Sequence, residues 1–225
     1  GLDKIYLWSV AGWDVYLTWV LVGVAGSVGM TVLNVRGVRM AAVLQTVVVG
    51  LILLVGLAFI LGSVAGGNTN NLEPLFKDGF SGITLVLAMV PFMFVGFDTI
   101  PQAAEEINLP FRDIGTVLML SVFMGVAWYS LIILGVGLML EPAEYESAEL
   151  AAANANSMIY GNFGRFAMLS AGLAGIITSW NAFIVGGSRA IYALARARLL
   201  PSIFAELHPV YRSPKNAIIL IGVLS

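Results

Sequence analysis

Five apolar stretches, each long enough to cross a bilayer, occupy most of this 225-residue chain. They lie at 13–34, 40–62, 82–107, 115–140 and 166–189, runs of 22 to 26 residues, or about 33–39 Å as helix at ~1.5 Å per residue. Hydrophobic residues make up 59% of the chain and charged residues 11%, and the charges cluster between the runs. No soluble domain hides that much apolar surface, so the composition points to a polytopic membrane protein. With no cysteine, thiolate metal sites are excluded, a single histidine argues against a histidine-based one, and neither metal nor cofactor is expected. A sixth apolar run starts near Lys215 but covers only 217–225, well short of the ~20 residues a crossing needs. The chain is therefore expected to be a segment of a longer protein.

Orientation follows from the basic residues. The loop at 35–39 carries Arg36 and Arg39, and the one at 190–214 carries Arg196, Arg198 and Arg212, with Lys215 just beyond. The loop at 67–80 has one lysine against two acids, and 141–149 has four glutamates and no base. Positive loops thus alternate with neutral or acidic ones, which predicts an external N-terminus and cytoplasmic loops at 35–39, 108–114 and 190–214. Arg189, Arg196 and Arg198 are expected to face water or lipid phosphate. Trp8, Trp13, Trp19, Trp128 and Tyr129 include interface anchors, and His208 reads as an ordinary loop residue.

Between the fourth and fifth spans, 142–162 is too polar to cross. Good helix formers after Pro142 predict a short external helix over 143–151, or a solvated loop with helical tendency. Gly23, Ala25, Gly26, Ser27 and Gly29 give the first span a small-residue face suited to close helix packing.

The third span is interrupted. Pro91 leaves the carbonyl of Leu87 without its helical partner, Pro101 does the same to Phe97, and Gly96 between them leaves the right-handed region cheaply. An unwound stretch over Phe92–Phe97 is predicted, flanked by two half-helices. The first would present bare carbonyls with partial negative charge, a natural seat for a cationic amino group. Asp98, the only carboxylate deep in an apolar run, follows the break. It suits the N-cap of the second half-helix, and beside a cavity it could also carry a proton or respond to substrate charge. Proline kinks repaired by neighbouring helices are the plainer alternative.

Several motifs together resemble the amino acid–polyamine–organocation permeases. Phe94-Val95-Gly96-Phe97-Asp98, followed by Ala104-Glu105-Glu106-Ile107-Asn108-Leu109-Pro110-Phe111-Arg112, looks like that family's sixth helix and its cytoplasmic tail. Leu33-Asn34-Val35-Arg36-Gly37-Val38 is similar to the turn between the fourth and fifth helices, and Gln45 fits as well. The stretch from Ser188 to Arg196 with Leu200-Pro201 resembles the end of the eighth, and Pro214-Lys215-Asn216-Ala217 the start of the ninth. The resemblance covers nearly the whole chain, in matching order and spacing.

It implies an all-α membrane protein with part of the leucine-transporter-like fold, two inverted five-helix repeats, here represented by five complete transmembrane helices and a truncated sixth within one transporter domain. The first, third and tenth helices would be missing, and with them half the pocket. It implies that the carbonyls of Phe92 and Val95 hold a substrate amino group, that Phe92 or Phe94 acts as an aromatic gate, and that Met93, Gly96 and Asp98 border the site. From the eighth helix, Trp180, Asn181 and Phe183 would approach it. Thr178 and Ser179 could supply oxygens to sodium, although a hydroxyl bonding back to its own helix is the commoner role. Glu105, Glu106 and Arg112 are candidates for a cytoplasmic gate, or are solvated helix-end charges. Some proton-coupled members carry a lysine in the fifth helix; Val49-Gly50-Leu51-Ile52 has none, which argues against that route and leaves sodium coupling, exchange or a proton on Asp98 open.

The expectation is a secondary transporter of amino acids or related amines in the cell membrane, working by alternating access. An ion channel would need a continuous polar pore lining, whereas polar residues here cluster at one depth. An intramembrane enzyme would need a serine–histidine, paired-aspartate or metal constellation, and no such set, phosphate loop or nucleotide motif is present. A noncatalytic membrane subunit is the remaining alternative, and no nucleic-acid partner is expected.

Overall fold

Alternating Trp-Asp-Val-Tyr after an Ala-Gly pair gives the chain a hairpin before its first helix. The computed structural model describes residues 5–74, 78–93, 96, 100 and 110–225. Strands β1 (Tyr6–Val10) and β2 (Trp13–Tyr16) pair antiparallel, with Val10 opposite Trp13 and Ser9 opposite Asp14. Ala11 and Gly12 both take positive φ, 51° and 87°, the backbone a two-residue hairpin turn requires. The first span therefore begins at Leu17 and not at Trp13, because 13–16 have a strand partner that hydropathy does not reveal.

The helices follow: α1 (Leu17–Val35), α2 (Val38–Gly66), α3 (Gly79–Met93), α4 (Phe111–Met139), α5 (Pro142–Ser147), α6 (Ala151–Arg196) and α7 (Lys215–Leu224). Among the described residues, four segments are long and apolar enough to cross a membrane: Leu17–Val35, Arg39–Gly66, Arg112–Met139 and Ala151–Arg196. Helix α3 is shorter, and the rest of the expected third span lies largely outside the described residues. Large apolar side chains such as Val22, Leu61 and Phe123 are exposed along these helices, as lipid-facing surfaces are.

The expected short helix after Pro142 is present as α5. It starts with a capping box in which the Glu141 amide donates to Glu144 Oε2 at 3.2 Å. The polar segment does not stay irregular to residue 162, however, since α6 already begins at Ala151. It runs to Arg196 with one interruption at Gly161 (φ 61°, ψ −150°), a backbone state open almost only to glycine. Asn156 spans the interruption by donating to the Gly164 carbonyl at 2.8 Å.

The chain divides into two compact units, one of Gly1–Leu44 with Trp180–Ser225, the other of Gln45–Ser179. In the second, Phe59, Met139, Leu140 and Ala155 form a buried core, with Ile132, Val136, Ile159 and Met168 packed against it. Close helix approach depends on glycine there. A Cβ on Gly135 would lie 2.8 Å from the Phe59 ring, and one on Gly56 would run into the Trp128 indole. Trp128, expected among the interface aromatics, thus packs against α2.

In the first unit α1, the C-terminal part of α6, and α7 pack together around Met30, Ile184, Ala217 and Ile218. Of the small-residue face on α1, Gly26 receives the Trp180 ring, with 2.8 Å left for a Cβ, and Ser27 donates to the Gly222 carbonyl at 2.5 Å. Gly23 and Gly29 have open space beside them, so only the middle of that face is used for packing in this unit.

Candidate functional site

Helix α3 ends where the prolines and glycine predict trouble. It includes Pro91 and is described as far as Met93, and Gly96 has φ 108°, a left-handed value outside any α-helix. Ile100 is helical again. Phe92 is 80% exposed and Met93 41%, so this helix end presents its side chains outward from its own unit. Phe94, Val95 and Asp98 lie outside the described residues, as do Glu105 and Glu106. Arg112 is described: it is exposed in the first turn of α4, which Pro110 precedes.

The other expected contributors sit together on α6 without sharing a face. Ser179, in the second unit, is exposed, and Phe183, in the first, is 54% exposed. Asn181, between them, points to the opposite side with Ile184 and Ser188 and is buried. Its Oδ1 accepts from Asn34 Nδ2 at 2.9 Å, and the same Nδ2 also reaches the Met30 carbonyl at 2.9 Å. Trp180 lies against Gly26.

Thr178 Oγ1 donates to the Gly175 carbonyl at 2.8 Å, the back-bond that threonine makes in apolar helices. Its proton is committed to its own helix, although the oxygen retains a lone pair. Sequence reasoning named Asn181 but missed its partner Asn34. The signal was there, since both are lone amide side chains within membrane-length runs and such groups require partners in hydrocarbon.

Two apolar pockets lie in the second unit. One, of about 690 Å³, is lined by Ile52, Gly56, Trp128, Ile132, Met168 and Ile176 among others; the second, of about 410 Å³, by Leu54, Val55, Asn156, Tyr160 and Phe166 among others. Among the described residues, Phe92, Met93 and Gly96 line neither of them.

The family model described as "Amino acid permease" matches residues 5–225. The vacuolar cationic amino acid transporter 8 of Arabidopsis thaliana is 31% identical over 157 residues, 70% of this chain and 26% of that protein. The methylthioribose transporter of Bacillus subtilis is 25% identical over 243 aligned residues, the whole of this chain and 52% of that protein. A branched-chain amino acid permease of the same bacterium is 25% identical over 199 residues, 87% of this chain and 42% of that protein. The chain spans between about a quarter and about half of the length of these relatives. With its membrane-length apolar helices and a family match over nearly its full extent, this predominantly helical, multi-pass membrane chain belongs to the amino acid permease family, within the amino acid–polyamine–organocation superfamily.

Proposed function

We propose that the full-length protein is a secondary transporter of amino acids or related amines, and that the substrate's amino group is held at the end of α3. The family match supports the first part, and the single observation supporting the second is the left-handed Gly96 beyond a helix that contains Pro91. A helix that ends inside apolar surroundings leaves carbonyls without amide partners, and a cationic ammonium group satisfies them while the helix dipole adds attraction. In this reading Phe92 and Phe94 shield the bound group, Met93 and Val95 border it, and Asp98 supplies the compensating negative charge. Ser179 and Phe183, on the exposed face of α6, contribute to recognition. Asn181 contributes indirectly, through the bond to Asn34 that fixes the rotation of the helix carrying Phe183.

The relatives' names cover cationic and branched-chain amino acids and methylthioribose, which supports a proposed substrate class running from amino acids to small polar metabolites. The proposed topology has the N-terminus outside, the basic loops in the cytoplasm, Glu105, Glu106 and Arg112 at the cytoplasmic gate, and the plasma membrane as location. The fold extends in this proposal to the paired five-helix repeats, both compact units belonging to one transporter domain, with H+, Na+ or a counter-substrate driving uptake.

Reconstitution of the full-length protein in liposomes tests this. Saturable uptake of a radiolabelled amino acid, competed by its unlabelled form and lost in Asp98→Asn or Gly96→Ala protein that inserts normally, is the expected result. Conductance without saturation would support a channel instead, and full uptake by both variants would remove the α3 break from the mechanism.

A further inference from the structure

We propose that Arg36, Arg212 and Lys215 form a binding site for the phosphate of an anionic phospholipid headgroup. The turn between α1 and α2 and the loop before α7 touch on both sides of an arginine pair. Ser213 Oγ donates to the Val35 carbonyl at 2.7 Å, and the Cβ position of Gly37 lies 3.9 Å from the Tyr211 carbonyl oxygen. Arg36 sits between Val35 and Gly37, and Arg212 between Tyr211 and Ser213, so the contacts on either side bring the backbone at the two arginines together. The Lys215 amide bonds the Ser213 carbonyl at 2.8 Å, which adds a third cation to the same few residues.

The loop that carries Arg212 is closed on itself. The His208 amide donates to the Ser213 carbonyl at 2.8 Å, the Arg212 amide to the His208 carbonyl at 2.9 Å, and the His208 and Tyr211 rings lie 4.8 Å apart. Ser213 and Pro214 are buried while Arg36, Arg212 and Lys215 are exposed, so a rigid base holds out the charges. Arg212 is held at φ 56°, a left-handed state that costs a non-glycine residue energy and persists only where its surroundings impose it. Among the described residues, no carboxylate pairs with Arg36, Arg212 or Lys215. Three cations held on neighbouring backbone repel one another, and a phosphate relieves that repulsion while accepting their hydrogen bonds.

Depth identifies the source of the phosphate as lipid. The cluster caps the ends of α1 and α2, both of bilayer-crossing length, which puts it where headgroups lie. Beside Arg212, Val210 is 74% and Tyr211 47% exposed, an apolar residue and an interfacial aromatic on the same loop tip. Such a tip suits immersion between headgroups and is ill suited to open water.

Titration of the detergent-solubilised full-length protein with phosphatidylglycerol, phosphatidylcholine or inorganic phosphate, read as the shift in unfolding midpoint, tests the site. Phosphatidylglycerol should raise the midpoint well beyond phosphatidylcholine, and inorganic phosphate should not. In Arg36→Gln/Arg212→Asn protein, where asparagine tolerates the left-handed backbone, the half-saturating lipid fraction should rise roughly 30-fold, as expected for removing two basic residues from an anionic surface. Arg165→Gln, an exposed arginine of the other unit, should leave the response unchanged. If the double variant responds like the parent, if Arg165→Gln loses as much, or if inorganic phosphate matches the lipid, the assignment is overturned. Should the double variant unfold, Lys215→Gln alone must weaken the response by a smaller factor, and an unchanged response there overturns the proposal as well.

Discussion

The side-chain amide of Asn34 on α1 donates to Oδ1 of Asn181 on α6 at 2.9 Å, and both residues are only 5% exposed. Two amides inside membrane-length helices thus satisfy each other where water and lipid offer no substitute, and they fix the rotation of α6 against α1. Truncating one takes this bond from the other in a buried position. Asn34→Leu or Asn181→Leu alone should cost about 1–3 kcal/mol, and the double leucine variant should recover much of that loss. Equilibrium unfolding of the three variants in micelles provides the comparison, and strictly additive losses would show that the bond carries no coupling.

Gly222 of α7 lies so close to Thr31 of α1 that an added methyl group would overlap the threonine hydroxyl. Gly222→Ala should destabilise the protein by about 1–3 kcal/mol, the usual cost of overpacking. Thr31→Ala in the same chain should restore most of it. Thermal midpoints of the single and double variants report the result, and a neutral Gly222→Ala would mean that the helices part easily.

The α6 interruption offers a second glycine test. Gly161 holds φ 61° and ψ −150° with nothing within 4 Å of its Cβ position, so space is not the constraint there and backbone conformation is. Gly161→Ala should cost about 1–3 kcal/mol, or straighten the helix and break the Asn156–Gly164 bond. Faster amide exchange over 151–165 in the variant would mark that change, and an unaltered exchange pattern would contradict it.

At the end of α3, Gly96→Ala should impair transport more than stability. The left-handed backbone at φ 108° disfavours a Cβ by roughly 1–2 kcal/mol, enough to shift the break towards continuous helix. Uptake should fall at least tenfold while the amount of inserted protein stays near the parental level. Retained uptake at normal expression would dissociate the glycine from the site.

Phe183 is exposed on α6, whereas Asn181 faces Asn34. Phe183→Ala should therefore lower apparent substrate affinity without lowering the unfolding midpoint, and Asn181→Ala should lower the midpoint. Paired uptake and unfolding measurements separate the two roles, and the reverse pattern would reassign the faces.

Much of this protein was legible in its residues because membrane helices obey a simple rule: hydrocarbon accepts only long apolar runs with their backbone bonds closed internally. That rule gave the runs containing α1, α2, α4 and α6. The capped start of α5 was legible too, from Pro142 and the glutamates beside it. What hydropathy could not show were features that depend on a partner distant in sequence. Residues 13–16 are apolar enough to extend a helix, and they became a strand only because 6–10 fold back on them. The polar tract before Phe166 became helical because a glycine absorbed the turn at 161 and Asn156 bridged it. Asn181 reads as a site residue from its position in the chain, but its amide bonds Asn34, 147 positions away. Local composition decides which segments enter the membrane; which side of each helix meets a neighbour depends on contacts that one-dimensional periodicity does not encode.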